Sequence, residues 1–295
     1  MNTKTLAAID IGSNAIRLLI DHVESSNDNV DFKKAAFLRV PIRLGEDAFS
    51  LGEIGQEKIT RLNDMMLGFS YIMKAYKVSG YRACATSAMR DARNGRDVIE
   101  SIFKSSGISI DIITGHDEAN IIFEAGGLNS VMDKSKNYLY VDVGGGSTEV
   151  IIYSDQQKME SQSFRIGAVR MLAGKVKDEE NVFFKSWLKK TQKKYMPLDV
   201  IASGGNINKV HKMLGKRDGE SLNYTEMKIF YDILSGMTYE ERMQNFKLNA
   251  YRADVIIPAM KVFLTIGKIC KINEFFVPKV GLVDGIIHHL YKSIL

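Results

Sequence analysis

The sequence predicts an α/β protein with two related domains. A strand that ends near an aspartate and is followed by a glycine turn occurs twice, near the N-terminus and near the middle of the chain. Each copy opens a series of three strands, after which helices and strands alternate. Because the same order appears twice, we interpret the chain as a duplicated α/β unit.

Two predicted β-hairpins define the repeat. The first is LAAIDIGSNAIRLLIDHV (6–23) and the second is YLYVDVGGGSTEVIIYS (138–154). In both, an apolar strand, an aspartate, a turn with glycine and a second apolar strand follow one another. We therefore expect Asp10 and Asp142 at corresponding strand ends.

The other elements follow from hydrophobic periodicity and turn residues. In the first half we predict a strand at 32–43, a helix at 53–76, a strand at 80–86, a helix at 95–106, a strand at 108–113 and a helix from 116. In the second half we predict a strand at 158–166, helices through 195, a strand at 198–202, a helix from 206, further helices, a strand at 274–277 and a last helix at 283–294.

Composition limits the class of protein. The 295 residues are 45% hydrophobic and 25% charged, enough for two globular domains, which we place at 1–125 and 126–282 because 124–137 is rich in Gly, Ser and Asn. Without a signal-peptide pattern or a run of about 18 apolar residues, we expect a cytoplasmic protein with no membrane partner. The net charge of +5 is spread along the chain, so we expect no nucleic-acid partner. Cys84 and Cys270 are expected to be buried thiols.

The loop of the second hairpin suits phosphate. Successive glycines let backbone N–H groups point into one concavity, and the hydroxyls of Ser147 and Thr148 add donors. Asp142 and Glu149 would repel a phosphate unless a hard cation, Mg²⁺ or alternatively Mn²⁺, lay between them. The glycines of this loop are Gly144, Gly145 and Gly146.

A matching loop follows Asp10 and contains Ser13 and Asn14. Two such loops facing each other across a domain cleft would hold a polyanion from both sides. The alternative is that each loop is a plain hairpin turn with a hydrogen-bonded aspartate. A third glycine turn, with Gly204 and Gly205, joins a strand to a helix and is either an anion or nucleotide site or a short turn capped by Asn206.

Seven segments together resemble the exopolyphosphatase and guanosine pentaphosphate phosphohydrolase family, in the same order and over nearly the whole chain. They are AAIDIGSNAIRLLI, ACATSAMRDARNG, ITGHDEANIIFEA, YVDVGGGSTEV, FRIGAVRM, IASGGNINKV and RADVIIPAM. The resemblance implies two ribonuclease H-like domains of the actin-like ATPase superfamily, which includes sugar kinases and Hsp70. It also implies that the last helix, about 283–295, packs on the first domain.

The resemblance implies Mg²⁺-assisted hydrolysis of a terminal phosphoanhydride in inorganic polyphosphate or pppGpp. It places the catalytic glutamate at Glu118 of GHDEA, where a carboxylate would orient a water and accept its proton. From periodicity alone, Glu118 is instead an acidic residue favoured by the helix dipole. The resemblance assigns the remaining groups to the metal (Asp10, Asp142, Glu149) and to substrate phosphates (Ser13, Asn14, Gly144, Gly145, Gly146, Ser147, Gly204, Gly205).

Arginines are needed to neutralise phosphates. Arg90 lies just beyond a predicted strand end and is the first candidate, followed by Arg17 and Arg43. The HD dipeptide at His116 and Asp117 is typical of another phosphohydrolase class, but its metal would need further ligands that five histidines hardly provide.

Two other functions stay open: an ATP-dependent kinase of the superfamily and a non-catalytic nucleotide-binding protein. Larger family members carry additional helical domains beyond this core, so processivity on long chains and the preferred chain length are left open. GLVDG (281–285) also departs from the family, in which many members have Arg and Glu at the positions of Val and Asp. The choice between polyphosphate and pppGpp, and whether the protein is a homodimer, are left open.

Overall fold

The computed structural model describes residues 2–26, 29–124, 132–278 and 280–294. The chain divides into two compact units, here called unit 1 (Met1–Gly126 with Gly281–Leu295) and unit 2 (Gly127–Val280). The boundary predicted after residue 125 falls outside the described residues.

Unit 1 begins with three consecutive strands and then alternates helices with strands, as the periodicity predicts. Its elements are β1 (Asn2–Ile11), β2 (Ile16–Ser26), β3 (Asn29–Val40), α1 (Leu44–Ser50), α2 (Gln56–Ala75), β4 (Gly80–Ala85), α3 (Ser87–Asp91), α4 (Gly95–Ser106), β5 (Asp111–Ile112), α5 (Gly115–Glu124) and, at the C-terminus of the chain, α13 (Leu282–Ser293).

Unit 2 repeats this order and adds helices after its fourth strand. Its elements are β6 (Asn137–Val143), β7 (Thr148–Ser154), β8 (Gln157–Phe164), α6 (Ala168–Leu172), α7 (Asp178–Tyr195), β9 (Leu198–Ser203), α8 (Gly205–Met213), β10 (Leu222–Asn223), α9 (Tyr224–Ser235), α10 (Tyr239–Phe246), α11 (Ala250–Ala253), α12 (Ile256–Cys270) and β11 (Glu274–Phe276).

The two sheets share one topology. Unit 1 has the strand order β3-β2-β1-β4-β5, and unit 2 has β8-β7-β6-β9-β11 with β10 added at the edge. In both, the first three strands are antiparallel and the first and fourth are parallel. The predicted duplication is therefore present in the hydrogen-bonded order of the strands.

The correspondence extends to a β-bulge. The second and third strands shift register between Ile20 and Asp21 in unit 1 and between Ile152 and Tyr153 in unit 2. These positions lie at the same distance from Asp10 and Asp142, respectively. A bulge adds twist and re-aims the following side chains, so both hairpins bend at the same place.

Several predicted bounds are wrong. The helix predicted at 53–76 begins at Gln56, and a separate helix, α1, precedes it because Leu51–Gly55 breaks the helix with a glycine at positive φ, Gly52. The strand predicted at 108–113 is reduced to β5, Asp111–Ile112. The short β10, which pairs antiparallel with β11, was not predicted.

Helix α13 packs against α5 and against strands β1, β2 and β4 of unit 1. At Gly285 a Cβ atom would lie 2.3 Å from the carbonyl oxygen of Ile121, so only glycine allows this approach of α13 to α5.

Cys84 and Cys270 are both buried and reduced, as predicted. Burial raises the pKa of each thiol to about 12. No helix in the described part of the chain is long and apolar enough to cross a membrane.

Candidate functional site

In unit 1, Asp10 lies at the end of β1 directly opposite Arg17 of β2. The guanidinium Nη1 of Arg17 donates a hydrogen bond to the buried carboxylate of Asp10. Burial raises the pKa of Asp10, while the charge and hydrogen bond of Arg17 act in the opposite direction. Two residues that the sequence assigned to metal and to phosphate thus contact each other.

The loop after β1 is held by the segment that enters α1. The N–H groups of Arg43 and Gly45 donate to the carbonyl oxygens of Asn14 and Ser13, at 3.1 and 2.8 Å. The Ser13 hydroxyl is buried and lies 2.9 Å from the Ser87 hydroxyl. The structure therefore brings Ser13, Asn14 and the backbone of Arg43 together.

The side chains of Arg43 and Arg90 contact protein groups. Arg43 has left-handed backbone geometry, and its Nε lies 2.6 Å from a carboxylate oxygen of Glu46. Arg90 Nη1 donates to the carbonyl oxygen of Ile113 at 2.8 Å. Because Ile113 lies just before the start of α5, Arg90 supports the helix that carries Glu118.

Glu118 lies half-buried in the first turn of α5. The start of this helix is fixed by Thr114 and Asp117: the Thr114 hydroxyl and N–H donate to the Asp117 carboxylate, and the Asp117 N–H donates back to the Thr114 hydroxyl. The hydrogen bond from the Thr114 hydroxyl is the largest cause of the lowered pKa of Asp117.

The same contacts argue against the metal-binding dipeptide interpretation of His116 and Asp117. Asp117 is part of the helix cap, and His116 Nδ1 lies 3.1 Å from the Asn120 amide nitrogen. Both Asp10 and Glu118 contribute negative charge that raises the pKa of Cys84, although burial is the larger cause. Asp10 lies directly beside Cys84 in the parallel pair of β1 and β4.

In unit 2, Asp142 lies directly opposite Glu149 across the β6–β7 pair. Directly opposed residues of an antiparallel pair share one face of the sheet, so the two carboxylates lie side by side. Both are buried, and the Ser163 hydroxyl donates to Glu149 Oε1 at 3.0 Å. Like charges in this arrangement favour a positive charge or a proton between them.

The glycine loop of unit 2 turns its carbonyl groups toward α6. Those of Gly144 and Gly145 accept hydrogen bonds from backbone N–H groups of the first turn of α6, and that of Gly146 accepts from Arg170 Nε at 2.7 Å. Within the described residues, no hydrogen bond is donated by the N–H groups of Gly145, Gly146 and Ser147.

Two residues that shape this loop were not among the sequence-predicted site residues. A Cβ atom on Gly167 would lie 2.5 Å from the backbone nitrogens of Gly146 and Ser147, so α6 approaches the loop closely only because this residue is glycine. Arg170 is buried and holds the loop through its hydrogen bond to Gly146. Both belong to FRIGAVRM, a segment of the resemblance, which was the signal available in the sequence.

The third glycine turn lies against the same strand end. Gly204 has a φ of 115°, and a Cβ atom there would be 2.8 Å from the carbonyl oxygen of Val143 and 3.1 Å from Asp142 Oδ1. Gly204 therefore packs against the Asp142 carboxylate, and Gly205 is the first residue of α8. In the described ranges, no group of at least three His, Cys, Asp or Glu side chains could together hold a metal ion.

Comparison with protein families identifies the group to which the chain belongs. The model of the Ppx/GppA phosphatase family matches residues 23–294. The chain is a member of the Ppx/GppA phosphatase family. The resemblance inferred from the seven segments is confirmed.

Relatives of this family member differ in length. It is 32% identical over 275 residues to the bifunctional 3-dehydroquinate synthase/phosphatase of Fusobacterium nucleatum, covering 85% of the chain but only 41% of that protein. It is 25% identical over 312 residues to the putative exopolyphosphatase of Haemophilus influenzae, covering 99% of the chain and 93% of that protein.

Solved structures show the fold. An exopolyphosphatase from Cytophaga hutchinsonii has a TM-score of 0.85 at 24% identity and covers 98% of both chains. The Aquifex aeolicus family member has a TM-score of 0.79 at 24% identity and covers 99% of both. This Ppx/GppA phosphatase therefore has the actin-like ATPase fold that its sequence predicts.

Proposed function

We propose that the protein is a phosphoanhydride hydrolase that releases the terminal phosphate of inorganic polyphosphate or converts pppGpp to ppGpp. The observation that carries the proposal is the loop of Gly145, Gly146 and Ser147, whose N–H groups donate no hydrogen bond within the described residues and which joins the strands of two buried carboxylates, Asp142 and Glu149. Adjacent backbone N–H donors of this kind bind phosphate oxygens. The substrate would lie between the two units, with Ser13 and Asn14 contacting it from unit 1.

A divalent cation fits the donor set of Asp142 and Glu149. Both are hard oxygen donors on one face of the sheet, and Mg²⁺ typically combines one or two carboxylates with phosphate oxygens and water. When bound, Mg²⁺ would offset the repulsion between the carboxylates and the phosphate and stabilise charge that develops on the leaving oxygen. The further ligand proposed from the first loop is Asp10.

Glu118 is proposed to orient the attacking water and accept its proton. The start of its helix is held by the hydrogen bonds between Thr114 and Asp117 and by the bond from Arg90 to the carbonyl oxygen of Ile113, which supports a fixed orientation of the helix. A carboxylate at such a site needs only to hold a water in line with the scissile bond. The names of the exopolyphosphatase relatives support this reaction class.

The test is Glu118→Gln, which retains size but removes the base. Phosphate release from polyphosphate and pppGpp should fall by about 10² to 10⁴ while binding survives. Glu100→Gln, an exposed residue of α4, is the matched control and should keep wild-type activity. Wild-type turnover by Glu118→Gln, or parallel loss of binding and turnover, would return Glu118 to the role of a helix-dipole residue.

The same assay separates the alternatives. ATP-dependent phosphorylation of an acceptor with no phosphate release from polyphosphate would favour a kinase. Nucleotide affinity without any turnover would favour a non-catalytic binding protein. Assays with Mg²⁺, Mn²⁺ and chelator in parallel identify the metal.

A further inference from the structure

Lys58, in the first turn of α2, contacts the segment that leads into α1. Its ammonium group donates three hydrogen bonds, to the carbonyl oxygen of Arg43 at 2.8 Å, to Glu46 Oε2 at 3.1 Å and to Asp47 Oδ1 at 2.7 Å. An ammonium group has three protons, so all of its donors are used. The side chain of Lys58 is 13% exposed, whereas that of Lys33, in a surface ion pair, is 54% exposed. Lys58 is therefore a largely buried link between two helices.

The segment that Lys58 contacts also contacts the loop after β1. The N–H groups of Arg43 and Gly45 donate to the carbonyl oxygens of Asn14 and Ser13. Arg43 has a φ of 58°, a left-handed geometry that a residue with a side chain keeps only when its surroundings hold it there. The hydrogen bond from Lys58 to the Arg43 carbonyl oxygen helps to hold it, so Lys58 is connected to the loop through Arg43.

The Glu46 carboxylate is shared between two cations. Arg43 Nε lies 2.6 Å from Oε1, and Lys58 Nζ lies 3.1 Å from Oε2. Because two cations beside one carboxylate repel each other, Lys58 weakens the attraction between Glu46 and Arg43. Lys58 also pairs with Asp47, so its removal would add net negative charge to the segment on which Arg43 lies. The guanidinium of Arg43 would then be held at Glu46 more tightly.

We propose that Lys58 is a positioning residue for phosphate binding at the loop after β1. By neutralising part of the charge of Glu46, it allows the Arg43 guanidinium to leave that carboxylate and contact a phosphate of the substrate. Its bond to the Arg43 carbonyl oxygen meanwhile keeps the backbone against Ser13 and Asn14. The proposal rests on the proposed function for the location of the substrate beside this loop.

The experiment removes the charge of Lys58 and then the carboxylate that Lys58 neutralises. Lys58→Met, Glu46→Gln and the double variant are assayed with Mg²⁺ for phosphate release from tripolyphosphate and pppGpp, which gives KM and kcat. The Kd for tripolyphosphate is measured by calorimetry in the wild-type and Glu118→Gln backgrounds. The matched control is Lys33→Met, alone and with Glu24→Gln, which breaks an ion pair at the end of the β1–β2 hairpin away from its glycine turn.

Lys58→Met should raise KM and Kd about tenfold while kcat stays within about twofold of wild type, because Glu46 then retains Arg43. Adding Glu46→Gln should return KM and Kd to within about twofold of wild type, because the competing carboxylate is gone. Glu46→Gln alone should bind tripolyphosphate at least as tightly as wild type. The control variants should change none of these constants.

An unchanged KM in Lys58→Met would overturn the proposal. A loss that Glu46→Gln does not restore would also overturn it, because Lys58 would then act only by supporting the backbone. Thermal unfolding checks that each variant folds, and if Lys58→Met does not, weaker binding by Glu46→Gln alone contradicts the proposal and equal or tighter binding supports it.

The two proposals of this protein's chemistry fail in different ways. A wild type that binds tripolyphosphate without releasing phosphate counts against the proposed function alone, since the Kd series still tests Lys58. Absence of binding of both tripolyphosphate and pppGpp to the wild type would overturn both.

Discussion

The first hairpins of the two units have one backbone plan but opposite electrostatics. Asp10 and Asp142 end equivalent strands, yet Asp10 faces Arg17 while Asp142 faces Glu149. The first pair neutralises itself through an ion pair, whereas the second concentrates negative charge next to a loop suited to phosphate. In each unit, a single cross-strand residue thus decides whether the aspartate at the strand end faces a guanidinium or a second carboxylate.

The largest expected effect is that of Glu149→Gln, which removes the second carboxylate that distinguishes unit 2 from unit 1. Removing one of the two carboxylates should lower phosphate release by about 10² to 10³ and raise the Mg²⁺ concentration needed for half-maximal rate, because the cation loses a ligand. Rates are measured across an Mg²⁺ titration. Glu160→Gln on β8, which removes a carboxylate from a surface pair with Lys194, should leave both quantities unchanged. Full activity of Glu149→Gln in excess EDTA would rule out the proposed cation site.

Gly204→Ala tests how much the close packing of Gly204 at the end of β6 contributes to stability. The counterpart in the unit 1 sheet, Ala85, lies within regular strand β4, but Gly204 has a φ of 115° and its Cβ would clash with the carbonyl oxygen of Val143. We expect a loss of about 2 to 3 kcal/mol in the free energy of unfolding, from strain plus the contact. Denaturant titration measures it.

Gly215→Ala is the control for strain alone. Gly215 also has positive φ, but a Cβ atom added there would meet no atom within 4 Å, so a loss of about 1 kcal/mol is expected. Equal losses for the two variants would show that the close packing of Gly204 on Val143 and Asp142 contributes nothing measurable.

The smallest expected effect is a change in stability with pH at the β-bulge that the two units share. At this bulge unit 1 has Asp21 and unit 2 has Tyr153. Asp21 is buried, with no hydrogen-bond partner for Oδ1 in the described residues. Burial first, and the nearby charge of Asp284 second, raise the pKa of Asp21 to about 6, while Lys34 and His22 act in the opposite direction. Lys34 also forms an ion pair with Asp284, at 2.7 Å.

The direction of the pH dependence of stability follows from the raised pKa of Asp21. The folded protein favours neutral Asp21, so its stabilising contribution is fully present below the unfolded pKa near 4 and is lost as pH rises through about 6. Asp21→Asn is neutral throughout, so the variant should gain about 1 to 2 kcal/mol relative to wild type across that window. Thermal unfolding at a series of pH values measures the difference. A difference that does not change with pH would mean that Asp21 does not titrate there.

The sequence predicted the duplicated hairpins and the order of strands and helices because strand alternation and glycine turns are local patterns. The family followed from the resemblance of seven segments. It missed the division between α1 and α2 and the short β10, which depend on a glycine at positive φ and on pairing with a distant strand. The roles of Glu118 and of the assigned metal and phosphate residues remain predictions that the proposed experiments address.

The amino-acid sequence by itself determined that Asp10 and Asp142 end equivalent strands, since both lie at the same point of a repeated pattern. Only the tertiary structure decided what each carboxylate faces. The register of the hairpins placed Arg17 against one and Glu149 against the other, and the close packing of Gly167 and Arg170 turned the loop carbonyls toward α6. These contacts join residues that are separated along the chain, so they follow from strand register and packing, which local periodicity does not contain.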